Sequence, residues 1–245
     1  MNSNILCIIP ARSGSKGIPH KNIRAFLGHP LMAYSIVAGL RATCMPRVIV
    51  STDDKNYANI AQFYGAEVPF LRPKKHAQDD SLDICVFSHA LEWLYAEEGY
   101  VPEMVVHLRP TTPFRSPDLV QRAITLYDAL APQYPYPISL RGVVPATPPP
   151  EKIYEDAQPF LQPVLGTINT YESYNRPRQF LRSYWFHNGV IDITSPYIIA
   201  EGRMSGEHIY PMHLNPEYSI DLDTEEDWEY AEWKIDRTDL PRVKP

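Results

Sequence analysis

The feature that most limits the fold is a regular alternation of short apolar runs with helix-period segments over the first half of the chain. Ile5 to Ile9 is apolar without a break and ends at Pro10, the pattern of a strand covered on both faces in a parallel sheet. Leu31 to Leu40 then places Leu31, Ile36, Val37 and Leu40 near helical spacing. Arg47 to Ser51 (RVIVS) reads as a second strand, followed by Asp53 and Asp54 as helix-start signals. A third strand is expected over Glu67 to Leu71, and next a helix over Leu82 to Leu94 with Leu82, Cys85, Val86, Ala90 and Trp93 on one face. Met104 to Leu108 supplies a fourth strand, and Pro117 to Leu130 a helix with the stripe Leu119, Val120, Ala123, Ile124, Tyr127 and Leu130. This order predicts an α/β fold: a doubly wound, mostly parallel, Rossmann-like sheet with ligands at the carboxyl ends of its strands.

The alternation stops after about Gln133, where prolines crowd from Pro132 to Pro163. Proline fixes φ and removes a donor, so this stretch is expected outside the core, as a flap or an interface arm, with disorder the competing reading. Regular pattern resumes with Gly189 to Ile193 and His208 to Met212 as strands and Thr224 to Ile235 as a closing helix capped by Thr224. A chain of 245 residues with this pattern is expected to form one main domain over residues 1–245. Its formal charge of -6 argues against nucleic acid as a partner, so any bound anion needs a local cluster of cations. Cys7, Cys44 and Cys85 form no CxxC pair or metal spacing, which fits a reduced, cytoplasmic compartment. No apolar stretch is long enough to imply a signal peptide or a membrane span.

Four constellations could carry chemistry. The first is the loop from Ala11 to Asn22, ARSGSKGIPHKN, which leaves the first strand at its carboxyl end. Gly14 and Gly17 let backbone N–H groups converge on an anion that Arg12, Lys16 and Lys21 neutralise, as a triphosphate requires. It is neither GxGxxG nor GxxxxGK[ST], and the plain alternative is a solvated loop with ordinary turn glycines. The second is Ser219 to Asp223, SIDLD, where alternation puts Asp221 and Asp223 on one side as a hard-oxygen pair suited to Mg²⁺. The plain reading there is a cap for the following helix. The third is Leu108 to Arg115, LRPTTPFR, where Thr111 and Thr112 offer hydroxyls and Arg109 and Arg115 offer forked contacts to phosphate or carboxylate. Alone it could be a proline-stiffened turn with surface arginines. The fourth joins Asn175 to Gln179, NRPRQ, with Tyr184 to Gly189, YWFHNG, as an acceptor pocket in which aromatics enclose and a few polar groups orient; core packing is the alternative. His187 lacks triad partners in the sequence and reads as structural.

The blocks IIPARSGSKGIPHKN, VIVSTDD, LRPTTPFR, NGVIDI and SIDLDT together resemble the acylneuraminate cytidylyltransferase family, the CMP-sialate synthetases and their relatives, in the family's order over residues 5–235. The resemblance implies a nucleotidyltransferase that moves CMP from CTP to the hydroxyl of a small acidic sugar with release of pyrophosphate, helped by Mg²⁺ or Mn²⁺. It also implies a homodimer, with an inserted arm over about residues 146–183. By matched motif, Arg12, Lys16 and Lys21 resemble triphosphate ligands, with Ala11, Ser13, Gly14 and Ser15 of the same loop on the nucleotide. Asn22 resembles a ribose contact, and Arg72 with Asp79 to Ser81 a nucleotide-side loop. Asp221 and Asp223 match the metal pair, so that catalysis would rest on Arg12, Lys16, Lys21, Asp221 and Asp223. Lys152, Arg178 and Gln179 resemble residues lining the sugar-acid site, with Arg109, Thr111, Tyr184, Phe186 and Asn188 also on the substrate side and Arg109 on the nucleotide as well.

Many sialate synthetases read LQPTSPLR where this chain reads LRPTTPFR. Arginine donates only, whereas glutamine can also accept, so hydrogen bonding near Arg109 must differ. An acceptor of the legionaminic or pseudaminic type, or another acidic acceptor, is then open beside sialic acid. A CMP-Kdo synthetase-like activity ranks lower because its first loop usually reads differently. A non-catalytic nucleotide or sugar binder has little use for an acidic pair beside the cationic loop, and a nicotinamide oxidoreductase would need GxGxxG.

Overall fold

The computed structural model describes residues 4–44, 46–165 and 172–235, together with residues 237 and 245. Ten strands and six helices are described: β1 Ile5–Pro10, β2 Ala25–Phe26, β3 His29–Pro30, α1 Leu31–Leu40, β4 Arg47–Ser51, α2 Lys55–Phe63, α3 Asp83–Glu98, β5 Met104–His107 and α4 Pro117–Leu130 in the first half. The second half holds β6 Ser139–Pro145, β7 Tyr154–Ala157, β8 Phe160–Pro163, β9 Trp185–Thr194, α5 Pro196–Ala200, β10 Ile209–His213 and α6 Glu225–Ile235.

One six-stranded sheet in the order β10-β6-β9-β5-β1-β4 forms the centre. β1 pairs in parallel with β4 and β5, β10 pairs in parallel with β6, and β9 runs antiparallel between β5 and β6. The parity of β1 sets the two faces: Cys7 and Ile9 pack with residues of α1, α2 and α4, whereas Leu6 and Ile8 pack with residues of α3 and α5. Helices on both faces of a mostly parallel sheet are the doubly wound arrangement expected from the alternation.

Three expectations change. Residues 67–71 contribute only a single parallel bridge, Glu67 to Ile49, because the segment leaves the sheet edge at once. The buried side of α3 is Val86, Phe87, Ala90 and Leu94; Leu82 precedes the helix and is 67% exposed. The proline-rich stretch is not all outside the core, since β6 is an interior strand with Leu140, Val143 and Val144 buried. Its proline, Pro145, falls at the strand end, where a missing donor does little harm. Elsewhere in the stretch Ile138 and Glu151 are also buried. Beyond Pro145 the chain forms the exposed hairpin β7–β8, separate from the main sheet, and short turns; residues 166–171 of the expected arm lie outside the described residues.

A further cluster, Ile18, Phe26, Phe114, Ile220, Leu222 and Trp228, ties the loop after β1 to the segment before α6. α6 opens with a reciprocal cap: Asp227 N donates to Thr224 Oγ1 at 3.2 Å and Thr224 N donates to Asp227 Oδ2 at 2.9 Å.

Candidate active site

The carboxyl ends of β1 and β5, the segment before α3 and the segment before α6 enclose a cleft of about 560 Å³. Its lining includes Arg12, Ser15, Lys16, Gly17, Lys21 and Asn22 from the loop after β1, Arg72, Asp79 and Ser81, Arg109 and Thr111, and Asp223. Residues far apart in sequence thus meet where the alternation predicts a ligand.

The loop is held open by its own polar groups. Ser13 donates to Asp53 through N and Oγ, both at 2.9 Å, and Asn22 Nδ2 donates to the Arg12 carbonyl at 3.0 Å. Asp54 accepts from Asn56 N and Tyr57 N and so caps α2. The adjacent aspartates, both readable as helix signals, therefore divide: one caps the helix and the other secures the loop. Ala11, Ser13 and Gly14 are absent from the cleft lining, so they shape the loop while its lysines and arginine face the space.

Ile220 and Leu222 are buried, which turns Asp221 and Asp223 outward as the alternation predicted. Lys21 Nζ contacts Asp223 Oδ1 at 2.6 Å, and Gly17 lies so close to the Asp223 carbonyl that an added Cβ would sit 2.4 Å from that oxygen. Asp223 lines the cleft, whereas Asp221 stands beside it, next to Thr111. Solvent reaches Asp221, yet protein crowds its carboxyl; this desolvation raises its pKa, against a hydrogen bond from Thr111 and with repulsion from Asp223. Such a pair gains from a cation. No group of three or more His, Cys, Asp and Glu suited to a metal occurs among the described residues, so a metal here would take further oxygens from a ligand.

The arginines of LRPTTPFR separate in role. Arg115 is fully buried, donating to Val190 O at 2.5 Å, Ser35 Oγ at 2.9 Å and Thr112 Oγ1 at 2.8 Å. It is structural, not the forked ligand its sequence position allowed, and burial lowers its pKa to about 9. Arg109 does line the cleft, but its Nη1 is held by Asp192 at 2.7 Å and its Nη2 lies 3.3 Å from Asp83. Thr112 is buried, with its hydroxyl on the Gly189 carbonyl. Arg72 is also buried, donating to the Ser51 hydroxyl and carbonyl, while still reaching the cleft wall. Burial lowers its pKa to about 10.

The remaining acceptor-side residues are not brought to this cleft. Lys152 Nζ donates to the Tyr174 carbonyl at 3.1 Å, and Arg178 and Tyr184 line a second cavity of about 210 Å³ near Pro145. Gln179 and Phe186 are exposed elsewhere, and the Asn188 amide bridges to Ser219 Oγ at 3.0 Å. Lys152, Arg178 and Gln179 lie where the chain has left the sheet after Pro145, whereas Phe186 and Asn188 stand on β9, Phe186 paired with Val144 at its amino end and Asn188 turned to Ser219.

Sequence reasoning missed the acid that organises this wall. Asp192 on β9 accepts from Arg109, from Arg141 Nε at 3.1 Å and from His187 Nε2 at 2.9 Å, so His187 does have an acidic partner. Burial alone would raise the Asp192 pKa; the hydrogen bond from His187 and the charge of Arg109 outweigh it and hold the carboxyl well below its usual range. Its period-2 place in NGVIDI, on the face opposite Ile191 and Ile193, was the available signal. The same pattern on β5 leaves His107 buried at the cleft, with neither ring nitrogen hydrogen-bonded.

A doubly wound sheet with a cationic glycine loop facing an acidic pair defines a nucleotide-binding α/β protein. The cytidylyltransferase family profile matches residues 6–137. A CMP-N,N'-diacetyllegionaminic acid synthase from Legionella pneumophila is 32% identical over 231 residues, covering 93% of this chain and 94% of that one. An N-acylneuraminate cytidylyltransferase from Escherichia coli is 30% identical over 94% of this chain and 52% of its own length. A CMP:2-keto-3-deoxy-manno-octonic acid synthetase complexed with CTP shares the fold, with TM-score 0.66 at 15% identity over 96% of this chain and 99% of that one. The chain belongs to the cytidylyltransferase family and is a nucleotidyltransferase.

Proposed function

We propose that this protein transfers CMP from CTP to the hydroxyl of a sialic-acid-like nonulosonic acid of the legionaminic class, releasing pyrophosphate. The observation that carries it is the contact of Lys21 with Asp223, which joins the cationic loop to one member of the acidic pair in the cleft, with Asp221 beside it. Support for the acceptor class comes from the match to the legionaminic acid synthase over nearly the whole of both chains. Arg12, Lys16 and Lys21 hold the phosphate tail and offset the charge that builds on departing pyrophosphate. The acceptor oxygen bonds to the α-phosphorus as the bond from that phosphorus to the pyrophosphate oxygen breaks, and the hydroxyl proton passes to solvent. Asp221 and Asp223 would hold Mg²⁺ or Mn²⁺, which supplies Lewis-acid polarisation of the α-phosphate and a more acidic attacking hydroxyl. Thr111 orients Asp221, and Arg109 presents a cation to the acceptor's carboxylate.

In this reading the protein works in the cytoplasm as a homodimer, with residues 146–183 as the arm. Phe160 and Leu161 on the β7–β8 hairpin are 76% and 66% exposed, an apolar tip suited to cover. Lys152, Arg178, Gln179 and Phe186, which do not reach their own cleft, would then serve the acceptor side at the subunit boundary.

The test is a pyrophosphate-release screen of ATP, CTP, GTP and UTP against N,N'-diacetyllegionaminic, pseudaminic, N-acetylneuraminic and 2-keto-3-deoxy-manno-octonic acids. Release with CTP and a nine-carbon acid is the expected result. Release with the eight-carbon acid alone would reassign the acceptor, and tight CTP binding without release from any pair would leave a binding protein.

A further inference from the structure

Two carboxylates from one short segment cover cations of the cleft. Asp79 stands in the turn between the 3-10 turn Lys74–His76 and α3, and Asp83 is the first residue of α3. Asp79 Oδ1 lies 2.7 Å from Arg12 Nη1 and its Oδ2 lies 2.5 Å from Lys16 Nζ. Asp83 Oδ2 lies 3.3 Å from Arg109 Nη2. All five side chains line the same cleft. The turn that carries Asp79 is itself fastened: Gln78 N donates to Ser81 Oγ at 2.9 Å, and Gln78 Nε2 donates to the Lys74 carbonyl at 2.6 Å.

The two partners of Arg109 are unequal. Asp192 is 10% exposed, accepts from three side chains and grips Nη1 at 2.7 Å, whereas Asp83 is 44% exposed and its contact is long. Asp192 therefore fixes the guanidinium, and Asp83 is the partner an incoming anion can displace. Asp79 has the same character, with a carboxylate at the cleft surface on two cations that remain accessible. An aspartate repels phosphate and carboxylate, so neither residue suits direct contact with the anionic groups of the two substrates. Both stand where such groups would bind.

We propose that the segment 79–83 is an internal stand-in for the two anionic substrates. Asp79 occupies the seat of phosphate oxygens on Arg12 and Lys16, Asp83 occupies the seat of the acceptor's carboxylate on Arg109, and each substrate displaces its own aspartate. The proposal rests on the assignment of the cleft under Proposed function. It gives the segment a selective role: a small monoanion must break an ion pair that it barely replaces, whereas a triphosphate replaces both contacts of Asp79 at once.

The test is calorimetric titration of Asp79→Asn and Asp83→Asn, near-isosteric changes at exposed side chains, with CTP, inorganic tripolyphosphate and N,N'-diacetyllegionaminic acid. Exposed ion pairs are weak, so Asp79→Asn should bind CTP and tripolyphosphate about 3- to 10-fold more tightly, with the acid unaffected. Asp83→Asn should bind the acid more tightly by a similar factor, with CTP unaffected. Unchanged or weaker binding of the matching ligand overturns the assignment of that aspartate, as does an acid that binds neither wild type nor Asp83→Asn. Tripolyphosphate carries no base and needs no acceptor, so it reads Asp79 even if the wild-type protein released no pyrophosphate, the result that would instead defeat the functional reading.

Discussion

Arg115 and Arg109 show how the same residue type acquires opposite roles within seven positions. Arg115 donates to a backbone carbonyl and to hydroxyls inside the sheet layer, and its removal would strand those acceptors in a dry site. Arg115→Met is therefore expected to lower unfolding free energy by roughly 3 kcal/mol in urea titration, mainly through unsatisfied partners. Acidity is read by other residues. Burial, then the nearby charge of Arg109, hold the His107 pKa well below its usual value, so the unfolded chain binds a proton there that the folded chain refuses. Stability should fall as pH drops below about 6.5, and further below about 4 as Asp192, whose folded pKa is depressed, loses its advantage. Burial also lowers the His89 pKa, so melting temperature measured between pH 8 and pH 4 should show the first loss in wild type and a smaller one in His107→Leu.

At the scale of elements, the site depends on one close approach between the loop after β1 and the segment before α6. Gly17 has room for no Cβ against the backbone of Asp223. Gly17→Ala should thus separate Lys21 from Asp223, lower the rate of pyrophosphate release by about 10-fold or more and lower the melting temperature as well, because Ile18 and Leu222, next to the two clashing residues, belong to the cluster that joins the segments. The sequence made much of this scale readable. Uninterrupted runs such as Ile5 to Ile9 and the stripe of α4 specify which surfaces are buried, and alternation alone turned Asp221 and Asp223 outward. What was not readable was set by distant neighbours. The strand β6 hid among prolines because its burial depends on β9 and β10 being placed on either side. The contacts of Asp192 with Arg109, Arg141 and His187 likewise exist only once β5, β6 and β9 lie side by side.

At the scale of the whole molecule, one chain supplies a cleft with both the cationic loop and the acidic pair, but leaves Lys152, Arg178 and Gln179 away from it. The proposed homodimer accounts for that gap. Sedimentation should give twice the monomer mass, and charge placed on the hairpin tip by Phe160→Asp with Leu161→Asp should shift it to monomer and raise the acceptor KM more than the CTP KM. The central claim, cytidylyl transfer between the cationic loop and a metal held by the acidic pair, is tested most directly by comparing wild type and Asp223→Ala in steady-state pyrophosphate release with CTP, Mg²⁺ and the acid found in the screen. Asp223 is 65% exposed, so the variant should fold and melt as wild type does while its turnover falls by on the order of 100-fold or more. Turnover within about twofold of wild type would contradict the account.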